Sequence, residues 1–474
     1  MIELAPERLA EAAGGRIVGR GSGARPERAS IDSRSVGGGD LFFGLRGERA
    51  DGGEHAAAAI DAGAWGVVVD PDRADRVAAE LGRSDRAWVI AARDPLASLQ
   101  SLARAWRREL GCPVVGITGS TGKTSVKDIC SAILPFRVHA SAENFNTEIG
   151  LPLTILAAGP RTELLVCEMA MRGRGQIAEL CEIAEPDVGA ITNVGPVHLE
   201  LLGTLEAIAE AKAEIVAGLG ADGTAVVPAD AEALAPHLGE RLATVTFGAG
   251  GDVFALRHER RGAGISATIA TPAGEQAFEL PFTERHNLAN ALCAVAIGVA
   301  LDAGLAEMAR RAPGISFSRL RGELHDLPGG AVLVNDCYNA NPISMRASLD
   351  HLASIEVAGR RLAVLGGMAE LGPTAPGYHR DAGEHARALG IDVVVGVGEL
   401  ARDYGADHWA PDAEAAVAVV EPLLGPGDAI LVKGSRAIGL ERFSEQLLRD
   451  TSSGSHPGVS RSEDLPTAPP KDDG

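Results

Sequence analysis

Short, wholly apolar runs separated by amphipathic stretches recur along most of the chain. Near the N-terminus, "DLFFGL" (40–45) and "WGVVVD" (65–70) have the length and composition of strands. Between them "EHAAAAIDAG" has helical spacing and stops at Gly63. A helix over "PLASLQSLARAWRREL" (95–110) leads into a second series, in which "PVVGIT", "ELLVCEMA" and "DVGAITNVG" alternate with helical stretches. Runs that are apolar at every position predict a largely parallel sheet buried on both faces. Residues 223–283 are Gly-rich and β-branched and read as strands and turns, and "HNLANALCAVAIGVALDAG" (286–304) reads as a helix. From about 314 a third βα series begins, with "AVLVNDCY", "RRLAVLGGM", "DVVVGVG" and "DAILVKGS" as strands. The pattern predicts an α/β chain of three units, 1–109, 110–313 and 314–450. The polar, Pro/Ser/Gly-rich tail over 451–474 is expected to be disordered.

Composition narrows the class. Of 474 residues, 46% are hydrophobic and only 4% aromatic, with 59 glycines, which fits a soluble α/β protein built on Val, Ile, Leu and Ala. A net charge of -20 argues against a nucleic-acid partner, whose phosphates such a surface would repel. Any anionic substrate must then be met by local devices: helix N-termini, Arg, Lys or metal ions. The opening "MIELAPERLAEAA" carries acids where a signal peptide carries bases, and the apolar segment 287–301 is too short to span a bilayer, so no membrane role and a cytoplasmic location are expected. Six scattered cysteines without a CxxC pair are expected to be reduced core thiols.

"VVGITGSTGKTSV" (114–126) carries the first chemistry. Gly122, Lys123 and Thr124 fit the end of a phosphate-binding loop, but Ile117 occupies the position of its usual first glycine. A strand ending at Thr118, a Gly-rich turn and a helix starting near Gly122 would aim backbone N–H groups and a helix dipole at one place, suited to the β and γ phosphates of a nucleotide. Gly119, Ser120, Thr121, Gly122, Lys123, Thr124 and Ser125 are the candidate contacts, with Lys123 neutralising phosphate charge and Thr124 holding Mg²⁺. Glu168 ends the strand "LLVCEMA" and His198 follows another in "ITNVGPVHLE", at strand carboxyl ends that converge on a ligand crevice in such sheets. Beside a phosphate loop they look like magnesium ligands. Taken singly, Glu168 could be the partner of a nearby Arg and His198 a loop residue. Lys212, in "TLEAIAEAKAEIVAGLG", reads on periodicity as a solvated helix Lys pairing with Glu210 or Glu214.

The segments "TGSTGKTS", "CEMAMRGRGQI", "ITNVGPVHLE", "EAKAEI", "ERHNLANALCA", "DCYNANP" and "VKGSRAIGLER" occur in an order that resembles the Mur ligases of peptidoglycan synthesis. The shortened "TGxxGKT" loop is itself a trait of that family. The resemblance implies a small N-terminal α/β domain binding UDP-substrate, a central P-loop ATPase domain with a mainly parallel sheet, and a C-terminal Rossmann-like domain. It implies an ATP-dependent ligase that joins D-alanyl-D-alanine to UDP-N-acetylmuramoyl-tripeptide through an acyl phosphate, with ATP and two Mg²⁺ as cofactors, acting as a monomer.

By the same resemblance, "SIDSRSVGGGDLFFGLRGERADGGEH" suggests Ser33, Arg34 and Arg46 near the uridine diphosphate, and "ENFNTEIG" makes Asn144, Asn146 and Thr147 candidates for the muramoyl substrate. Asn287 and Asn290 are expected near adenine, Arg319 and Asp336 on the ATP side of the third domain, and Tyr338, Asn339 and Asn341 at the junction of ATP and the amine. Lys212 matches a lysine that reacts with CO₂ to give a carbamate, able to join Thr124, Glu168 and His198 around metal. The third domain is expected to close over ATP. Ser318 stands where a Gly often precedes the Arg. The nearest alternative is a sibling ligase adding diaminopimelate or lysine, whose "DNPR" is absent here. Folylpolyglutamate synthase shares the ATPase core, and a P-loop switch without ligation is the alternative of another class.

Overall fold

The structure is a computed structural model that describes residues 2–47, 50–142, 144–239 and 242–453. It contains the three predicted sheet units. The first is a five-stranded sheet in the order Arg16–Gly19, Trp88–Ala91, Gly66–Val69, Asp40–Phe43, Arg28–Ser30, parallel except for the edge strand Arg16–Gly19. The second is a six-stranded parallel sheet in the order Ala243–Phe247, Thr224–Pro228, Val188–Ile191, Val114–Thr118, Leu164–Glu168, Val138–Ala140. Its central strands are buried at every residue, which is why their sequences show continuous apolar runs. The predicted strands and turns of 223–283 include an antiparallel meander, Phe254–Arg261, Gly264–Thr271 and Gly274–Leu280.

The third sheet has the order Glu323–Leu327, Ala331–Asn335, Ala429–Lys433, Arg361–Gly366, Val393–Val397, His408–Ala410. Its four central strands are those expected. The two edges were not foreseen. Glu323–Leu327 alternates half-buried and exposed positions and pairs antiparallel, and His408–Ala410 is only three residues long, so neither leaves an apolar run. The helix Glu441–Ser453 runs three residues into the tail expected to be disordered; the rest of that tail, 454–474, lies outside the described residues.

The helix Pro95–Leu110 joins the first two sheets. Asp94 caps it by accepting from the Leu96 and Ala97 N–H groups, Pro95 takes its first position, and Gly111 ends it in the left-handed region at φ 63°. Trp106 Nε1 donates to the Ala158 carbonyl at 3.0 Å, and Leu99, Leu102 and Trp106 share one buried cluster with Val114 and Leu165. The helix Arg285–Ala300 is apolar on nearly every side because it is buried between the parallel sheet and the meander. All six cysteines are buried and free, as expected for core thiols. Among the described residues no helix is long and apolar enough to cross a membrane.

One helix in the third unit, Ala375–Ala388, contains two glycines with opposite surroundings. A Cβ on Gly383 would lie 1.9 Å from the Tyr404 carbonyl oxygen, whereas Gly377 has nothing within 4 Å. Gly383→Ala should lower the stability of this unit by about 1–3 kcal/mol through overpacking. Gly377→Ala should raise it by about 0.5–1 kcal/mol through helix propensity. Denaturant unfolding of the two variants checks the opposite signs.

Candidate active site

The strand Val114–Thr118 lies in the middle of its sheet, with Leu164–Glu168 on one side and Val188–Ile191 on the other. Its carboxyl end opens on a crevice, and the loop from Gly119 to Gly122 occupies it. Ile117 is fully buried in the strand, so the turn begins only at Gly119. Side chains close in on that turn. Thr121 N donates to Asn193 Oδ1 at 3.0 Å, Asn193 Nδ2 donates to Thr121 Oγ1 at 2.6 Å, and Ser120 Oγ both donates to the Gly195 carbonyl (3.0 Å) and accepts from its N–H (2.9 Å). The helix Lys123–Ile133 then starts with its N–H groups facing a cavity of about 990 Å³.

Polar groups gather at the base of that cavity. Thr124 Oγ1 donates to Glu168 Oε2 at 2.8 Å, and Asn146 Nδ2 donates to Glu168 Oε1 at 2.9 Å; Glu168 is 3% exposed. Lys123 Nζ donates to the Gly119 carbonyl at 2.8 Å. Burial pushes its pKa down, with Glu168 opposing and Arg321 adding to the effect.

Lys212 also lines the cavity and is 1% exposed, so it is no solvated helix lysine. The carboxylates offered as partners are engaged elsewhere: Glu210 pairs with Arg174 at 2.6 Å, and Glu214 accepts from Gly175 N at 2.6 Å and Ala178 N at 3.1 Å. Burial, and secondarily Lys123, drive the Lys212 pKa well below that of an ordinary lysine.

His198 lines the same cavity, its ring held by a residue of the third unit. It caps the short helix Leu199–Leu202 in the left-handed region at φ 53°, and its Nδ1 bonds Glu370 of the third unit. Burial lowers its pKa, and Glu370 opposes this. Among the described residues no three His, Cys, Asp or Glu side chains cluster as a ready-made metal site.

The third sheet supplies the opposite wall. Asn341 caps the helix Pro342–Ser354 in a reciprocal capping box with Ser344, which fixes its side chain so that Nδ2 reaches the Ser120 carbonyl at 3.4 Å. Asp336 accepts from Lys433 Nζ and from Ser348 Oγ, each at 2.6 Å, and Lys433 Nζ also donates to the Asn339 carbonyl at 3.2 Å. Tyr338 and Asn339 line the cavity. On the helix Arg285–Ala300, the buried Asn287 and Asn290 are bonded to each other at 2.9 Å. Asn144, Asn146 and Thr147 line the far end, with Glu148 and Arg172.

Some expected residues lie elsewhere. Arg319 is exposed and does not line the cavity; Arg321 does, donating from Nη2 to Thr124 Oγ1 at 3.0 Å with its guanidinium 4.0 Å from the Tyr338 ring centroid. The cause is local. Leu320, not Ser318, adopts the left-handed conformation that a glycine favours, at φ 62°, and it turns the next residue inward. Ser33, Arg34 and Arg46 do not line the cavity either: Arg34 pairs with Asp32 at 2.8 Å and Arg46 with Asp51 at 3.4 Å, both largely in solvent. Thr192, Asn193, Lys433, Arg436 and Glu370 line or brace the site without having been foreseen. Lys433 and Arg436 stand in a quoted motif, "VKGSRAIGLER", so spacing could have found them; Glu370 sits alone in a loop and left no signal.

The comparisons with known proteins agree with this geometry. The Mur ligase family catalytic domain matches residues 28–108, the Mur ligase middle domain residues 117–298, and the Mur ligase glutamate ligase domain residues 320–436. The chain is 37% identical over 444 residues to the UDP-N-acetylmuramoyl-tripeptide–D-alanyl-D-alanine ligase of Synechocystis, an alignment covering 88% of this chain and 91% of that one. It is similar to a MurF crystal structure from Acinetobacter baumannii, with a TM-score of 0.83, 26% identity, and coverage of 94% and 98%. It is also similar to the MurF ligase of Thermotoga maritima in complex with ADP, with a TM-score of 0.79, 28% identity, and coverage of 90% and 98%. With a phosphate loop facing a cavity shared by two sheet units and a family likeness extending over all three, the chain belongs to the Mur ligase family.

Proposed function

We propose that this chain joins D-alanyl-D-alanine to UDP-N-acetylmuramoyl-tripeptide at the expense of ATP, in peptidoglycan precursor synthesis. The observation that carries the reading is the single cavity in which the loop Gly119–Ser125, Glu168 and Lys212 face Arg321, Tyr338 and Asn341. The names of its relatives support the same substrates. We divide the chain into an N-terminal UDP-substrate domain (1–109), a central ATP domain (110–313) and a C-terminal ligase domain (314–450). Ser33, Arg34 and Arg46 belong to the uridine side, Asn144, Asn146 and Thr147 to the muramoyl side. We place the reaction in the cytoplasm, with the chain acting as a monomer.

A terminal carboxylate oxygen of the tripeptide attacks the γ-phosphorus of ATP, giving an acyl phosphate and ADP. The amine of D-alanyl-D-alanine then attacks the acyl carbon, loses a proton, and phosphate leaves as the amide forms. The obstacle is electrostatic, since two unit charges 4 Å apart repel by about 4 kcal/mol at an effective dielectric of 20. Lys123 and Arg321 approach from the two sides of the cavity, and the amides at the start of the helix Lys123–Ile133 add their dipoles. Magnesium, which favours oxygen ligands and shares them with substrate phosphates, would be held by Thr124, Glu168 and a carbamate on Lys212, with His198 as the one nitrogen donor, and would neutralise phosphate charge. The hydroxyl and carboxylate already stand 2.8 Å apart in the buried base, a donor set that fits such an ion. Walls from two domains exclude water from the acyl phosphate.

Lys212 carries the carbamate reading. Its amine attacks the carbon of CO₂ and releases a proton, a reaction open only to the neutral form. An unperturbed lysine is neutral in only about one molecule in 2,500 at pH 7. Burial raises that fraction here.

Phosphate release should require ATP, Mg²⁺, UDP-N-acetylmuramoyl-tripeptide and D-alanyl-D-alanine together. Turnover with UDP-N-acetylmuramoyl-dipeptide and diaminopimelate instead would assign the chain to the sibling branch, and hydrolysis indifferent to any acceptor would make it a nucleotide switch. Lys123→Ala, Glu168→Ala and Arg321→Ala should each lower kcat by roughly 10²-fold or more while circular dichroism stays native. Arg319→Ala should stay within about threefold of the parent, as expected of an exposed side chain outside the site. For Lys212, ¹³C NMR under ¹³CO₂ should show a carbamate resonance that Lys212→Ala lacks, and short-chain carboxylates should partly restore the variant's activity. An unchanged spectrum or a fully active, unrescued variant would rule the carbamate out.

A further inference from the structure

Two buried side chains that line the cavity take no part in the chemistry above. Glu284 caps the helix Arg285–Ala300, and His351 lies near the end of the helix Pro342–Ser354 on the opposite domain. Both line the cavity, and they are 7% and 6% exposed. His351 Nε2 stands 3.7 Å from Glu284 Oε1, beyond hydrogen-bond reach, and neither ring nitrogen has a hydrogen-bond partner among the described residues. Glu284 Oε2 accepts from Thr283 N at 3.0 Å, while Oε1 lies on the side of His351 and Gly322. Buried polar groups are ordinarily satisfied. Here two of them, from different domains, converge on the nucleotide cavity instead.

Their place identifies the occupant. Glu284, Asn287 and Asn290 follow at intervals of three and so lie along one face of the helix. At one end of that row a Cβ on Gly122 would come within 2.3 Å of Asn290 Oδ1, so Asn290 sits on the phosphate loop. Six helical residues span about 9 Å, which sets Glu284 about the reach of a nucleoside away from the phosphates. Asp336, Ser348 and His286 line the same cavity, while the exposed Arg260 donates to the Ser354 carbonyl at 3.0 Å, at the end of the helix that carries His351. A carboxylate can only accept, and a neutral imidazole offers one accepting and one donating nitrogen. The pair is therefore matched to a neutral group with N–H or O–H to give: the exocyclic amine of adenine or a ribose hydroxyl. A purine with a carbonyl in place of the amine would set that oxygen against the Glu284 carboxylate, acceptor against acceptor.

We propose that Glu284 and His351 together read the nucleoside of ATP and set the enzyme's nucleotide specificity, the site being complete only when the two domains meet. This rests on the reading of the cavity as the ATP site. Calorimetric titration of the full chain with ADP, inosine diphosphate and 2′-deoxy-ADP tests it, using the parent, Glu284→Gln and His351→Leu. The parent should bind ADP about tenfold or more tightly than one analogue, inosine diphosphate if the amine is read and 2′-deoxy-ADP if the ribose is. Both variants should bring that ratio to within about threefold by weakening ADP alone. His351→Leu puts an apolar side chain in place of a buried, unpartnered ring, so it keeps the test alive if Glu284→Gln unfolds. Equal binding of all three nucleotides by the parent, or a parental ratio in folded variants, would overturn the proposal while leaving the ATP site standing. A parent that binds no ADP at all would overturn the ATP site itself, and this proposal with it.

Discussion

The close approach of the loop Gly119–Gly122 to its two neighbours is the contact on which the site depends. A Cβ on Gly119 would fall 1.9 Å from Thr192 Oγ1, and one on Gly122 2.3 Å from Asn290 Oδ1. The turn is thus pressed between the end of the adjacent strand and the helix Arg285–Ala300, with no Cβ in the way at either glycine. That pressure fixes where the amides of the following helix point, and it sets Asn287, Asn290 and Glu284 along the wall of the same cavity. It also accounts for the shortened motif. Ile117 remains a fully buried strand residue, and the chain needs glycine only once it leaves the sheet.

Charge at the cavity is arranged against the background of a chain with net charge -20. Lys123, Lys212, Arg321, Lys433 and Arg436 all line it, and each is handled differently. Lys433, almost wholly buried, is held by Asp336 at 2.6 Å. Arg321 spreads its charge over the Tyr338 ring. Lys212 has no carboxylate within ion-pair distance among the described residues, and burial disfavours its ammonium form. A cation that can be neither solvated nor paired gives up its proton more readily, and the neutral amine is open to chemistry that an ammonium is not.

The two nucleotide-facing domains are tied together close to the phosphate loop. Asp128, in the helix that starts at Lys123, accepts from Ser318 N at 2.8 Å and from Ser318 Oγ at 3.1 Å, and the buried Lys127 pairs with it at 3.1 Å. The connecting segment is therefore fixed to the helix that follows the loop Gly119–Gly122. Two residues on, Leu320 takes the left-handed turn, at a cost of about 1–2 kcal/mol for a residue with a Cβ. The turn is held by Leu320 N donating to Glu323 Oε2 at 3.0 Å and by Tyr338 N donating to the Leu320 carbonyl at 3.3 Å. Arg321 reaches Thr124 as a result.

The sequence alone determined the three α/β units, the loop Gly119–Ser125, Glu168 as a strand-end carboxylate and the family likeness, because each is written in local signals. Continuous apolar runs specify buried parallel strands, and glycines beside Lys-Thr specify a phosphate turn. The edge strands Glu323–Leu327 and His408–Ala410 escaped notice because an edge needs only one buried face and so few apolar residues. Lys212 looked solvated because helical periodicity shows which residues share a face but not what covers that face. Arg319 is the arginine the family resemblance implies, and only backbone torsions reveal that Leu320 takes the left-handed conformation that brings Arg321 to the cavity. His198 meeting Glu370, Asn341 reaching Ser120 and Glu284 facing His351 join residues 67 to 221 positions apart. Such meetings follow from how two domains pack, which no local pattern encodes, and tertiary structure alone decided them.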